Sequence, residues 1–230
     1  MSVHDVRIDA PERRNAMSRR VLALLRADLA TLPGETTAVV LSGDGDVFSA
    51  GADLRELTGT RADLAFDEEL AATIEAVRAV PVPVVAAIEG PCLGAAVELA
   101  LACDLRIAGA GAWFRVPAVD LGLLYRPETI ARLHRTLPRD IVTRLVLLGQ
   151  RLDADDGLAS EVVASGQAVA RAHAVAEKLP VPGPAFRQTK ALLAELDDAV
   201  WDTGRWERVR LELLDSDERR QAISRRGAFR

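Results

Sequence analysis

The chain has 230 residues, 49% of them hydrophobic, and a formal net charge of −5. That length argues for one domain with a core of useful size. The acidic balance argues against a general nucleic-acid footprint, and no segment approaches the roughly 18 uninterrupted apolar residues of a membrane span. The start, Met1-Ser2-Val3-His4-Asp5, lacks the charged-then-apolar plan of a signal peptide, so a cytoplasmic protein is expected. Only Lys178 and Lys190 are lysines among 29 basic residues; with the many alanines this reads as the codon bias of a GC-rich genome. Cys92 and Cys103 lie in small, apolar surroundings without CxxC or Cys/His spacing. They read as buried free thiols, with neither a disulfide nor a metal site.

Val3 to Ile8 alternates like a short strand, with Pro11 as a breaker after it. Ser18 is placed to cap a helix from Arg19 to about Leu32, on which Leu22, Leu25 and Leu29 form one stripe. Pro33-Gly34 ends it. Thr37 to Ser42 is a continuous apolar strand of the kind covered on both faces. A glycine-rich loop follows, Gly43-Asp44-Gly45-Asp46, then Val47-Phe48-Ser49-Ala50-Gly51-Ala52-Asp53. A helix from roughly Phe66 to Val80 stops at Pro81-Val82-Pro83, and Val84 to Ile88 is another buried strand closed by Gly90-Pro91. Gly94 to Ala102 reads as a helix of small residues and Leu105 to Ala108 as a strand. The last hundred residues are mainly helical in pattern, punctuated by Pro138, Gly149, Gly157 and the cluster from Pro180 to Pro184. Alternating strands and helices followed by helices predict an α/β fold with a helical tail.

Two stretches of small residues each lead from a buried strand towards a helical segment. They are Phe48 to Leu54, after the strand ending at Ser42, and Gly90 to Ala96, after the strand ending at Ile88. Small side chains permit close approach of a ligand to the backbone, and a helix start presents unpaired N–H groups with a favourable dipole. Two such groups aimed at one oxygen make an oxyanion hole. Either stretch alone reads as tight helix packing before it reads as a catalytic loop.

Taken together they resemble the signatures of the crotonase (enoyl-CoA hydratase/isomerase) superfamily. Phe48-Ser49-Ala50-Gly51-Ala52-Asp53-Leu54-Arg55-Glu56-Leu57 is similar to the first, and Gly94 through Ala108 to the second. Pro11 to Met17, Phe186 to Lys190 and Asp215 to Arg219 resemble further family segments in the right order. The resemblance implies a ββα spiral with a C-terminal helical region: residues 1–180 as the acyl-CoA-binding core and residues 181–230 as a helical segment for trimerisation and CoA cover. It implies a homotrimer or homohexamer and a coenzyme A thioester substrate, with coenzyme A part of the substrate and no separate cofactor. By position, the amides of Ala52 and Ala95 would form the oxyanion hole. Ala50, Ala52, Asp53, Leu54, Arg55, Gly94 and Ala95 would lie along the CoA moiety. Arg55 reads either as a phosphate contact or as a solvated residue.

Family hydratases carry two glutamates. Glu98 matches the first; three residues beyond Ala95, it returns on a helix to nearly the same face. At the second position the segment reads Phe114-Arg115-Val116-Pro117-Ala118, so the carboxylate is missing. Loss of a general acid or base typically costs about 10²–10⁴ in rate, which argues against ordinary fast hydration. The glycine-rich turn that borders the acyl pocket in relatives has become Leu124-Tyr125-Arg126-Pro127-Glu128-Thr129. Isomerisation, with Glu98 or Glu128 moving the proton, and decarboxylation both survive with one carboxylate. Tyr125 lies where methylmalonyl-CoA decarboxylase-like relatives have a tyrosine, and it reads either as a carboxylate-orienting hydroxyl or as filler of the altered loop. Glu128 also suits the start of a helix after Pro127. Leu152 to Val163 resembles a family segment with about one helical turn removed. Arg225, Arg226 and Phe229 read either as an abbreviated nucleotide cover or as a frayed basic end. A non-catalytic CoA-binding subunit is the alternative from a different functional class.

Overall fold

The apolar runs around Val39, Val85 and Ile107 become the centre of a sheet in a computed structural model that describes residues 2–214 together with Ser216, Asp217, Arg219 and Gln221. Residues 225, 226 and 229, read above either as an abbreviated cover or as a frayed basic end, lie outside the described residues. In chain order the first half contains β1 (Ser2–Ile8), α1 (Arg19–Ala30), β2 (Thr36–Gly43), α2 (Leu64–Ala79), β3 (Val84–Ile88), β4 (Pro91–Leu93) and α3 (Ala95–Ala102). Then come β5 (Leu105–Gly109), β6 (Trp113–Arg115), α4 (Pro127–Thr136), α5 (Arg139–Val142), β7 (Leu152–Asp153), β8 (Glu161–Val163) and α6 (Ala168–Ala176). Two more helices, α7 (Pro184–Asp197) and α8 (Thr203–Leu214), complete the order.

The main sheet has five strands in the order β1-β2-β3-β5-β8, and every neighbouring pair is parallel. Successive residues of its strands serve opposite faces, as the pleat demands. Val39, Leu41, Val84, Ala86 and Ile88 join the larger core, which also takes Leu22, Leu25 and Leu29 of α1 and Ile74 and Val77 of α2. Ala38, Val40, Val85, Ala87 and Ile107 face the other way, where Ala168, Ala172 and Ala176 bring α6 close to the sheet. Burying each of the three α1 leucines contributes about 1.5–3 kcal/mol relative to exposure. The helix starts where Ser18 Oγ accepts from the Val21 amide at 3.2 Å, a cap of the kind that contributes about 1 kcal/mol.

A second, three-stranded sheet runs in the order β4-β6-β7, parallel between β4 and β6 and antiparallel between β6 and β7. None of its strands exceeds three residues, and no periodicity of the chain predicts them. Two isolated bridges extend this layer: Ser49 to Cys92 and Met17 to Ala52, both parallel. The resulting architecture is the crotonase-like ββα arrangement with a C-terminal helical region. Both cysteines are buried and free.

The chain divides into two compact units with a boundary between Leu179 and Pro180. Within the second, α7 and α8 are joined by the Trp206 indole, which donates to Glu195 Oε2 at 2.6 Å, and the Arg205 guanidinium lies 4.6 Å from the Trp206 ring centroid.

Candidate active site

The loop from Phe48 to Asp53 is built almost entirely from backbone hydrogen bonds. The Phe48 amide donates to Glu89 O at 2.7 Å, Ser49 N–H to Pro91 O at 3.1 Å, and Leu93 N–H returns to Ser49 O at 3.0 Å. On its other side, Ala50 N–H donates to Arg14 O, Met17 N–H to Gly51 O and Asp53 N–H to Met17 O, at 2.7–3.0 Å. Asn15 locks this second seam from full burial. Its Nδ2 donates to Asp44 O and Val47 O, and its Oδ1 accepts from the Ala10 amide. Ser49 Oγ donates to Asn15 O at 2.6 Å and accepts from the Gly51 amide at 3.1 Å.

That pattern accounts for the amides of Ser49, Ala50, Gly51 and Asp53. Ala52 N–H has no hydrogen-bond partner among the described residues, and neither does Ala95 N–H at the first position of α3. The two donors are brought together by two glycines. Gly51 has φ +86°, and a Cβ there would collide with the Leu93 carbonyl oxygen and stand 3.5 Å from the Ala95 nitrogen. Gly94 caps α3 at φ 53° and ψ −119°, a conformation foreign to L side chains. Only one of the donors sits at a helix start. The first loop ends in a three-residue 3-10 turn, Leu54–Glu56, so the helical segment expected after it does not form and Ala52 draws nothing from a helix dipole. Local hydrogen bonds explain the difference, because Asp53 accepts from the Arg55 amide at 3.2 Å and closes the turn on itself.

Ala50, Ala52, Leu54, Gly94, Ala95, Glu98 and Tyr125 all border one cavity of about 310 Å³. Its remaining wall is mostly apolar, with Phe66, Leu70, Pro117, Ala118 and Leu124 among its residues. Ala118 is 4% exposed and brings only a methyl group to the cavity. Glu98 is nearly buried on α3; its Oε1 accepts from Thr129 Oγ1 at 2.7 Å and from Arg132 Nη2 at 3.4 Å. Burial raises its pKa above the usual carboxylate value, against the pull of the Thr129 hydroxyl and the Arg132 charge. Tyr125 keeps its hydroxyl 3.7 Å from where a Gly94 Cβ would lie. Burial first, then the negative charge of Glu98, hold its pKa far above the ordinary phenol value, so it stays protonated.

The other predicted residues lie at the edge of this arrangement. Asp53 is buried and holds Arg55 by bonds to Nε at 3.0 Å and Nη2 at 2.8 Å, with Arg13 at 3.3 Å. The bond from Arg55 pulls the Asp53 pKa down to about 2. Glu128 is exposed in the first turn of α4, its Oε2 3.7 Å from Arg126 Nε, and does not line the cavity. Two residues that do matter to the site carry no signal in the sequence. Asp67, in the first turn of α2, lines the cavity and has its pKa raised by burial. Thr129, in the first turn of α4, is buried against Glu98. Asp67 sits in no motif and Thr129 only ends the altered turn, with no role read for it there; the packing of α2 and α4 around α3 brings them in. Among the described residues no helix is long and apolar enough to cross a membrane, and no group of three or more His, Cys, Asp or Glu residues is arranged for a metal ion.

Comparison with known proteins agrees with this fold. A family profile described as "Enoyl-CoA hydratase/isomerase" matches residues 1–216. The "Probable enoyl-CoA hydratase echA6" of Mycobacterium leprae (strain TN) is 33% identical over 188 residues, covering 78% of this chain and 75% of that protein. The 2,3-dehydroadipyl-CoA hydratase of Escherichia coli (strain K12) is 30% identical over 234 residues, covering 94% of this chain and 89% of that protein. Among solved structures, an enoyl-CoA hydratase from Polaromonas sp. JS666 superposes with a TM-score of 0.86 at 27% identity, over 99% of this chain and 94% of that one. This chain belongs to the enoyl-CoA hydratase/isomerase family of the crotonase superfamily.

Proposed function

We propose that this chain moves a carbon–carbon double bond along the acyl group of a coenzyme A thioester, through a dienolate whose oxygen rests on the Ala52 and Ala95 amides. The observation that carries the proposal is the meeting, in one cavity that Ala118 also lines, of two partnerless amides and a buried glutamate. A single carboxylate suffices for this reaction because the proton is returned. Glu98 takes a proton from C2 of a 3-enoyl thioester; the C–H electron pair moves into the conjugated system, and the thioester oxygen becomes negative. The two N–H dipoles stabilise that oxygen, and losing one such donor costs about 2.7–4 kcal/mol in a comparable hole. Glu98 then delivers the same proton to C4, and the product is the 2-enoyl thioester. Neither water nor a second acid is consumed. Ala50 to Leu54, with Gly94 and Ala95, border the thioester arm in this reading. Arg55 holds Asp53 through Nε and Nη2, which leaves Nη1 to meet a phosphate in this reading.

A second reading is decarboxylation of a malonyl-type thioester, favoured by Tyr125. Its hydroxyl stays protonated beside Gly94 and is suited to donate to a substrate carboxylate, while the oxyanion hole receives the enolate as carbon dioxide leaves. Mass spectrometry of the purified protein with 3-enoyl, 2-enoyl and methylmalonyl thioesters of CoA separates the two. Double-bond migration abolished by Glu98→Gln is the expected result. Carbon dioxide release that survives Glu98→Gln and falls with Tyr125→Phe establishes the second reading. Tight binding of every thioester without turnover refutes both, and assigns a non-catalytic subunit. Assembly as a homotrimer or hexamer, with residues 181–230 covering CoA, belongs to the same proposal, and light scattering of the purified chain with and without CoA tests it.

A further inference from the structure

The two oxygens of Glu98 are not equivalent. Oε1 receives both the Thr129 hydroxyl and the Arg132 guanidinium, whereas Oε2 has no hydrogen-bond partner among the described residues. Thr129 and Arg132 are three residues apart on α4 and so present to α3 from one face of that helix. Arg132 is itself held from α2: its Nη1 donates to Glu75 Oε1 at 3.3 Å, and the same oxygen accepts from Arg78 Nη1 at 3.0 Å. The glutamate is thus held by α4 and braced through Arg132 to α2, while its own helix, α3, contributes only apolar neighbours.

We propose that Thr129 and Arg132 are positioning residues that commit Oε1 of Glu98 to the protein and leave Oε2 as the oxygen that takes and returns the substrate proton. The inference rests on the proton-transfer role given to Glu98 above. Its chemistry balances in both states. With Glu98 ionised, Oε1 accepts two donors and Oε2 presents free lone pairs to the cavity. When Oε2 takes the proton, Oε1 remains an acceptor and neither bond has to break, so the carboxyl plane does not turn between removal and return. A carboxyl free to rotate would spend part of its time with the proton facing the wrong carbon. The altered turn at Leu124 to Thr129 has a role in this scheme: the chain that lacks a carboxylate at Ala118 brings Thr129 against the one it keeps.

The test uses the full chain in four forms: wild type, Thr129→Val, Thr129→Ser and Glu98→Gln. Glutamate labelled with ¹³C at Cδ reports the titration of Glu98, assigned by its absence from Glu98→Gln, and turnover of a 3-enoyl thioester is followed on the same proteins. Valine keeps the shape of threonine and removes its hydroxyl. Thr129→Val is expected to raise the Glu98 midpoint, move the acid limb of the kcat profile upward with it, and lower kcat on the order of tenfold with KM unchanged. Thr129→Ser is expected to restore both, which a purely structural threonine would not require. An unchanged titration and kcat in a folded Thr129→Val protein overturns the positioning role. Turnover in Glu98→Gln equal to wild type overturns the premise instead, and the carbon titration then shows whether the Thr129 contact exists apart from catalysis.

Discussion

Gly51 and Gly94 set the two proposed oxyanion donors side by side, and alanine at each separates two physical costs. Both have positive φ, so either substitution forces an L residue into a disfavoured backbone region at about 1–3 kcal/mol. At Gly94 nothing else is disturbed, because the nearest atom to a new Cβ is the Tyr125 hydroxyl at an ordinary 3.7 Å. At Gly51 the Cβ also meets the Leu93 carbonyl oxygen, a backbone atom fixed by the pairing of Ser49 with Cys92. Overpacking adds about 1–3 kcal/mol, giving a total of roughly 2–6. A domain of this size loses about 2–4 °C in melting temperature per kcal/mol, so Gly94→Ala should fall by about 2–12 °C and Gly51→Ala by about twice that. Differential scanning calorimetry reads both values. Turnover should drop in both, since each glycine precedes a proposed donor amide and a tilted peptide moves its N–H off the oxygen. Equal destabilisation by the two substitutions, or a Gly51→Ala protein that melts like wild type, would refute the assignment of the clash.

Glu98→Gln should stabilise the protein, increasingly so as pH rises. The folded-state pKa of Glu98 is raised by burial, so its contribution to stability is full at low pH and is lost as pH climbs through that value. Melting temperatures at mildly acidic and mildly alkaline pH check this, and a pH-independent difference between the two proteins would sink it. Asp53 behaves with the opposite sign. Its pKa is lowered from 3.8 to about 2, chiefly by Arg55, so the stability it contributes is present above 3.8 and disappears as pH falls towards 2. Arg55→Met should therefore weaken the protein above that window and match wild type below it, as read by denaturant titrations across the acid range. Ala118→Glu restores a carboxylate to the cavity wall and should raise hydration of a 2-enoyl thioester by about 10²–10⁴, visible as formation of the 3-hydroxyacyl product. An unchanged hydration rate in a folded variant would show that Ala118 does not face the reacting carbons.

The parts of the fold that the sequence reveals are those with a local cause. Ser18 caps α1 through its own hydroxyl, and the three leucines of that helix repeat on one face, so start and buried stripe can be read directly. The runs at Val39 and Val85 are long enough to declare buried strands. β4, β6 and β7 are different: two or three residues each, they exist because Cys92 pairs with Phe114 and Phe114 with Leu152, partners that no spacing announces. The site divides the same way. Ala52, Ala95 and Glu98 stand in family-like segments and were accessible as a resemblance. Asn15 is a polar residue in a polar stretch, and only the fold turns it into the buried joint between Asp44, Val47 and Ala10. Thr129 and Asp67 occupy first turns of helices, where threonine and aspartate are common for reasons of capping and dipole, and that ordinary explanation hides their place at the cavity.

An alanine at position 118 has an electrostatic consequence for Glu98. Two carboxylates sharing an apolar cavity raise each other's pKa, and one of them is driven to hold a proton. Glu98 already carries the cost of burial and an unfavourable contribution from Asp67. A charged neighbour at residue 118 would add a second repulsion and keep Glu98 protonated to higher pH. Alanine there removes the repulsion, while the Thr129 hydroxyl and the Arg132 charge favour the ionised form. Hydration needs an acid and a base in different protonation states at the same moment, and so gains from a pair whose pKa values are pushed apart. Moving a proton from one carbon to another needs one group that is a base first and an acid afterwards. For the proposed double-bond migration, a single buried glutamate braced on one oxygen and open on the other meets that requirement more directly than a pair.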